Sequence, residues 1–281
     1  MNIFSSDPLE KAKAEIHHDG RFDVMLNEVK NIYDLLDTFI FGQFGNDILF
    51  MRSFKAITPA IILHSTHKTL LSIRLCCEHG NFSDANILLR KYRDDLFFYL
   101  YIILVIQDAK ELFSSELNKH DKNIEAWTKN SMSNVYITDI LKYIGGHPML
   151  KLAVQKYNLR TTFDQIGNVL NTYTHGNGKK YYNKVLHTYG EENIEDFTRT
   201  FSKHLNYITV TFMFLISLIY PLSIMASDYI DCLENEQEPP LDSQYWVASY
   251  IQRYFYEKKD LLGKDCIEYL QEETGMNFSS F

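Results

Sequence analysis

Residues Tyr207 to Ser227 read YITVTFMFLISLIYPLSIMAS and carry no charge. Such a run is long enough to span a bilayer. Arg199 and Lys203 before it, with Asp228, Asp231, Glu234 and Glu236 after it, suit a positive-inside orientation. Thr209, Thr211, Ser217, Ser223 and the mid-run Pro221 point the other way. A second run, Leu96 to Gln107 (LFFYLYIILVIQ), is too short to span. Two runs of this kind read naturally as central helices of one bundle, apolar all round because protein surrounds them. We adopt that reading, with a single membrane span as its alternative.

The rest of the composition fits a bundle. The chain has 281 residues and is 46% hydrophobic, enough for a sizeable core. Only 12 Gly and 6 Pro are present, too few for the frequent turns of a sandwich or barrel. The net charge of −8 argues against non-specific nucleic-acid binding, which rests on Lys and Arg contacts to phosphate. It leaves room for a local basic loop. Cys76, Cys77, Cys232 and Cys266 form no CxxC pair, so neither a disulfide framework nor a zinc site is expected. The first residues show no apolar run behind a basic tip, and a cytoplasmic location is the expectation.

Periodicity places the elements. Phe22 to Phe41 has helical spacing through Val24, Met25, Val29, Ile32, Leu35, Leu36 and Phe39. A long helix is predicted from Met51 to His79, interrupted near Pro59, with Gly80 after its end. Asn81 or Ser83 caps the next helix, which runs to about Leu117. So short a connection implies an antiparallel hairpin. Asn118 to Asn134 reads as a loop. Short helices follow over Ile137–Ile144 and Met149–Asn158. Thr162 and Gln165 have capping-box spacing, opening a helix to about Tyr173. Asn193 caps the helix through the uncharged run, and Pro221 breaks it. Asp242 or Ser243 caps a helix from about Tyr245 to Lys259, and a last helix covers Asp265 to Glu273. The expected fold class is all-α, an irregular helical bundle around a long antiparallel hairpin and a central apolar helix. Residues 1–20 are read as a polar leader, here with His17, His18 and Asp19. Residues 21–235 are read as the bundle, and 236–281 as an acidic loop with two short helices packed on it.

No P-loop, GxGxxG, GxSxG, HExxH or EF-hand loop is present. The segment LNTYTHGNGKKYYNK, Leu170 to Lys184, is the richest in chemistry. His175 sits at a helix end beside flexible glycines, followed by Asn177, Lys179, Lys180 and Tyr181. Imidazole moves protons near neutral pH, lysines hold phosphates and tyrosines stack on bases. The plain alternative is a histidine on a helix dipole, a glycine cap and a solvated lysine loop. A second cluster is Arg90-Lys91-Tyr92-Arg93-Asp94-Asp95. It is either a set of surface pairs four apart or a place where Arg90 or Arg93 points inward and needs an anionic partner. His64 and His67 lack the further ligand that a metal site requires, so neither metal nor cofactor is expected.

HGNFSDANILLRKYRDDLFFYLYIILV resembles the helix-turn-helix of HEPN-like bundle proteins, including bacterial abortive-infection and uncharacterised members. NTYTHGN is similar to their later helix end, where a His precedes a loop. The resemblance covers roughly Met51 to Tyr220. It implies a helical bundle, often dimeric, and in nuclease members metal-independent RNA cleavage by an R-x(4–6)-H motif. Arg74/His79 and Arg199/His204 have that spacing here, whereas His175 has no Arg at the family spacing before it. The expectation is therefore a defence- or toxin-type protein with His175, Arg90 and Arg93 as a composite catalytic site. Lys179, Lys180, Tyr181 and Asn177 would bind RNA, and the chain would form a homodimer. A non-catalytic dimerisation module is the alternative, and a membrane-associated protein the second.

Overall fold

A computed structural model describes residues 19–43, 50–52, 55–57, 59–108, 118–129, 135–174 and 191–278, with residues 7, 10 and 14. The architecture is all-α. The helices are α1 (Gly20–Gln43), α2 (Ala60–Glu78), α3 (Phe82–Gln107), α4 (Lys119–Thr128), α5 (Ile137–Gly146) and α6 (Lys151–Lys156). They continue with α7 (Leu159–Thr174), α8 (Glu191–Ile219), α9 (Asp228–Glu234), α10 (Ser249–Lys258) and α11 (Cys266–Thr274). A small antiparallel hairpin, β1 (Phe50–Arg52) and β2 (Lys55–Ile57), pairs Met51 with Ala56. The chain divides into two compact units, and α1, α2, α3, α7 and α8 contribute to both.

The first unit comprises residues up to Leu36, Ser65–Arg93 and Thr161–Thr209. Asp19 opens α1, its carboxylate accepting from the Arg21 backbone N–H at 2.9 Å. It therefore has a structural role that reading it as part of a leader did not give it. The face of α1 formed by Phe22, Met25, Val29, Ile32 and Leu36 is buried, whereas Val24 lies off that face and is exposed. Phe22 stacks on Phe82 at 5.2 Å, and Phe82 meets Phe197 at 4.3 Å, which joins α1, α3 and α8. The α2–α3 turn is a Schellman motif. Gly80 takes φ +74°, its N–H reaches Cys77 O at 3.1 Å, and the Asn81 N–H reaches Cys76 O at 2.8 Å. Lys91 returns to Ser65 and Thr69 at 3.4 and 3.5 Å, so the hairpin is antiparallel as its short turn requires.

The second unit comprises Asp37–His64, Asp94–Arg160 and Val210–Phe281. Phe212 to Ile216 of α8 are almost wholly buried there. Phe39 and Tyr99 pack on Phe212 at 6.2 and 6.1 Å, and Tyr157 packs on Phe214 at 5.2 Å. The segment Glu195–Ile219 is long and apolar enough to cross a bilayer, and 83% of its apolar window is buried within the protein. Two of its buried hydroxyls bond back within the helix, whereas Thr211 Oγ1 is buried with no hydrogen-bond partner among the described residues. Thr209 donates to Leu205 O at 2.9 Å and Ser217 to Met213 O at 2.7 Å. Pro221 ends the helix as expected, opening a 3-10 turn over Pro221–Ile224.

Several boundaries differ from the sequence reading. Residues 50–57 contain the β-hairpin instead of helix, and α2 starts only after Pro59, which cannot continue a helix from its N-terminal side. The predicted loop after Asn118 contains α4. Asn118 accepts from His120 and Asp121 N–H at 2.8 and 2.9 Å, and Asp121 accepts in return from Asn118 N–H at 3.0 Å. This is a capping box with Asp where Glu or Gln is usual. Thr162 lies inside α7, which starts at Leu159, and Asn193 lies inside α8. Trp246 and Val247 are extended instead of helical, because Val247 bridges Met225 and Trp246 bridges Asn277. The expected extension of α3 to Leu117 runs beyond the described residues after Gln107 and Asp108.

Candidate functional site

Of the expected composite site, Arg90 and Arg93 lie on α3 in the first unit. Arg93 is 3% exposed, and Arg90 is half-buried one turn earlier. Of the two sequence readings, inward orientation therefore holds for Arg93. Its Nη1 lies 2.7 Å from the position a Cβ on Gly167 would occupy, so the guanidinium crosses α7 where that helix has no side chain. Beside it, Tyr92 and Thr209 hydroxyls meet at 2.8 Å in the core. Burial pushes the Tyr92 phenol well above its ordinary range, so it stays neutral. α7 ends at Thr174, and His175 is the next residue. His175, Asn177, Lys179, Lys180 and Tyr181 lie outside the described residues.

In the two pairs with R-x(4–6)-H spacing, each arginine bonds a neighbouring carboxylate. Arg74 bonds Glu78 at 2.7 Å, while His79 Nδ1 meets Leu75 O at 2.8 Å. Arg199 bonds Asp196 at 3.3 Å on an exposed surface. Burial, with Lys203 beside it, pushes the His204 imidazole below its ordinary value. His64 and His67 part company as well, His64 against Phe41 at 5.4 Å and His67 stacked on Tyr33 at 3.9 Å. Among the described residues no three His, Cys, Asp or Glu side chains are grouped to hold a metal ion.

Sequence reasoning missed a cluster in the second unit. Asp108 follows the end of α3. Its Oδ1 lies 3.0 Å from His147 Nε2, and its Oδ2 accepts from the Tyr143 hydroxyl. Tyr101 Oη lies 2.9 Å from His120 Nδ1 and accepts from Asn123 Nδ2 at 3.3 Å. The His120 and Tyr143 rings are 4.2 Å apart, which closes the network. Burial alone would raise the Asp108 carboxyl, but hydrogen bonds from Tyr143 and His147 hold it below its ordinary value. Burial and then Lys119 push the His120 imidazole down. His147 is only 8% exposed, and its Nδ1 makes no hydrogen bond among the described residues. Chemically the cluster can pass protons, but its clear effect is to tie α4 and α5 to the end of α3. Its parts lie on three helices up to 46 positions apart in sequence, from Tyr101 to His147, and no local motif marks them.

No protein-family model matches this chain, and neither a curated protein nor a solved structure does.

Proposed function

We propose that this chain is a HEPN-like helical protein of a bacterial defence or toxin type that cleaves RNA without a metal ion. One observation supports the reading above the others. A buried arginine of α3 lies against α7, the helix that leads directly into His175. In this mechanism His175 takes the proton of a ribose 2′-hydroxyl as that oxygen attacks the adjacent phosphate. Arg90, Arg93 or Lys179 offsets the charge that develops on the phosphate oxygens. Lys180 and Asn177 hold the backbone, and Tyr181 stacks on a base. The test is cleavage of a defined RNA in EDTA. Wild type should leave 2′,3′-cyclic phosphate ends, and His175→Ala should be slower by about 100-fold or more. Absence of cleavage in both, or equal rates, rejects the reading.

A second reading, a non-catalytic dimerisation module, has its own support. Leu71 and Leu75 stand four apart on one face of α2 and are 43% and 57% exposed. A second copy of the chain would cover them. Sedimentation of wild type against Leu71→Glu/Leu75→Glu measures this, with a monomer expected only for the variant. The membrane-associated reading has less behind it, given how much of α8 is covered by protein.

A further inference from the structure

A pocket of about 540 Å³ opens in the second unit where three extended stretches meet. Its frame is backbone. Ala226 N–H donates to Trp246 O at 2.7 Å and Ala248 N–H to Ile224 O at 2.8 Å. Val247 N–H donates to Asn277 O at 3.2 Å, and Asn277 N–H to Tyr245 O at 2.7 Å. These bonds join the entry to α9, the entry to α10 and the stretch after α11 around one opening, so its shape is set by main-chain pairing. The volume falls in the range of roughly 300–1,000 Å³ usual for small-molecule sites.

The lining defines the ligand. Trp246 and Tyr250, both partly exposed, supply aromatic surface. Ser249, Asn277 and Thr38 supply uncharged hydrogen-bonding groups, and among the described residues Asp228 is the only charged one in the lining. An anion would meet that carboxylate, and among the described residues no Lys, Arg or His of the lining offsets it. A cation would meet the first turn of α10, where no side chain caps the positive helix end. A ligand with a net charge of either sign therefore meets one group of its own sign, and a neutral ligand meets neither penalty. Hydroxyl groups can donate to a carboxylate and accept from amides, and the C–H face of a sugar ring can lie on indole.

We propose that this pocket binds a neutral carbohydrate of one or two rings, stacked on Trp246 and hydrogen-bonded to Asp228. The assignment does not depend on the ribonuclease reading. The protein has 2 tryptophans, Trp127 and Trp246, so Trp127→Phe leaves Trp246 as the sole indole reporter. The full chain with that substitution is titrated with methyl glycosides of glucose, galactose and mannose, with maltose, with glucose 6-phosphate and with adenosine. At least one neutral glycoside should change the Trp246 emission saturably. Glucose 6-phosphate should bind about tenfold or more weakly than the matching neutral sugar, and Asp228→Asn should narrow that gap. It should also weaken the neutral sugar by about tenfold through the lost charge-assisted hydrogen bond. Asp228 lies at the exposed start of α9, so the substitution leaves the core intact. Calorimetry on Trp246→Ala provides a second readout, with binding abolished. No saturable response from any glycoside overturns the proposal. Tighter binding of adenosine than of every glycoside, or an Asp228→Asn protein indistinguishable from its parent, overturns it as well.

Discussion

Arg93 and Gly167 form a matched pair, the guanidinium of one filling the space left by the missing side chain of the other. A Cβ at Gly167 would stand 2.7 Å from Nη1. Elsewhere in an exposed helix, Gly to Ala gains about 1 kcal/mol. Here the methyl must displace a side chain that is already almost wholly buried, an overpacking cost of about 1–3 kcal/mol.

Gly167→Ala should therefore destabilise the protein by about 1 kcal/mol or more in urea unfolding. In an Arg93→Ala background the sign should reverse, because the obstacle is gone and the helix-propensity gain remains. A Gly167→Ala protein more stable than its parent would show that Arg93 yields freely.

Tyr92 and Thr209 permit a sharper test of polar burial. Their hydroxyls meet at 2.8 Å in a region closed to solvent. Thr209→Val strands the phenol and should cost about 1–3 kcal/mol. Adding Tyr92→Phe removes the stranded group, and the double variant should recover most of that loss. Additive losses in the double variant would mean that the pair is not coupled.

The α2–α3 turn depends on the left-handed conformation of Gly80, at φ +74°. Gly80→Ala should destabilise the chain by about 1 kcal/mol, whereas Gly80→Asn, which tolerates that conformation better, should cost less. The ranking is read from midpoints of thermal unfolding.

These relationships mark how far the sequence could be read. The uncharged run from Tyr207 announces a buried helix, and its Thr209, Thr211, Ser217 and Pro221 favour protein over lipid as the surroundings. Gly80 announces its turn, since a glycine between two apolar periodic segments has few other uses. Pro59 and Pro221 are boundaries too, Pro59 before the start of α2 and Pro221 after the end of α8. The capping box at Asn118 leaves little mark in the sequence because Asp121 stands where a longer acid is usual. Trp246 and Val247 are apolar enough for a helix, and only distant partners, Met225 and Asn277, draw them into extended bridges. The candidate site was legible on the arginine side alone. The charges beside the apolar stretch leave surface pairing and an inward Arg90 or Arg93 open, and the structure buries Arg93. The Asp108 cluster was invisible because its members come from separate helices whose packing no local pattern encodes.

Acid should act on the protein through that cluster. Burial and Lys119 depress the His120 imidazole below its ordinary value of 6.5. A group with a depressed folded pKa takes up its proton more readily when unfolded, so His120 favours the folded state at neutral pH. That contribution shrinks as pH falls below 6.5. His204, depressed chiefly by burial, works in the same direction. Asp108 adds a second step. Its carboxyl is held below 3.8 despite its burial, so its contribution is complete above that value and is lost as pH falls through the lower folded one. Urea unfolding from pH 8 to about pH 3 should therefore show stability falling in two stages. His120→Gln should flatten the first stage in part, leaving the share of His204. Tyr143→Phe removes one bond that stabilises the carboxylate, so the second stage should move to higher pH. A His120→Gln protein with the wild-type slope between pH 6.5 and about 5 would detach the imidazole from stability, and the cluster would then be a packing feature alone.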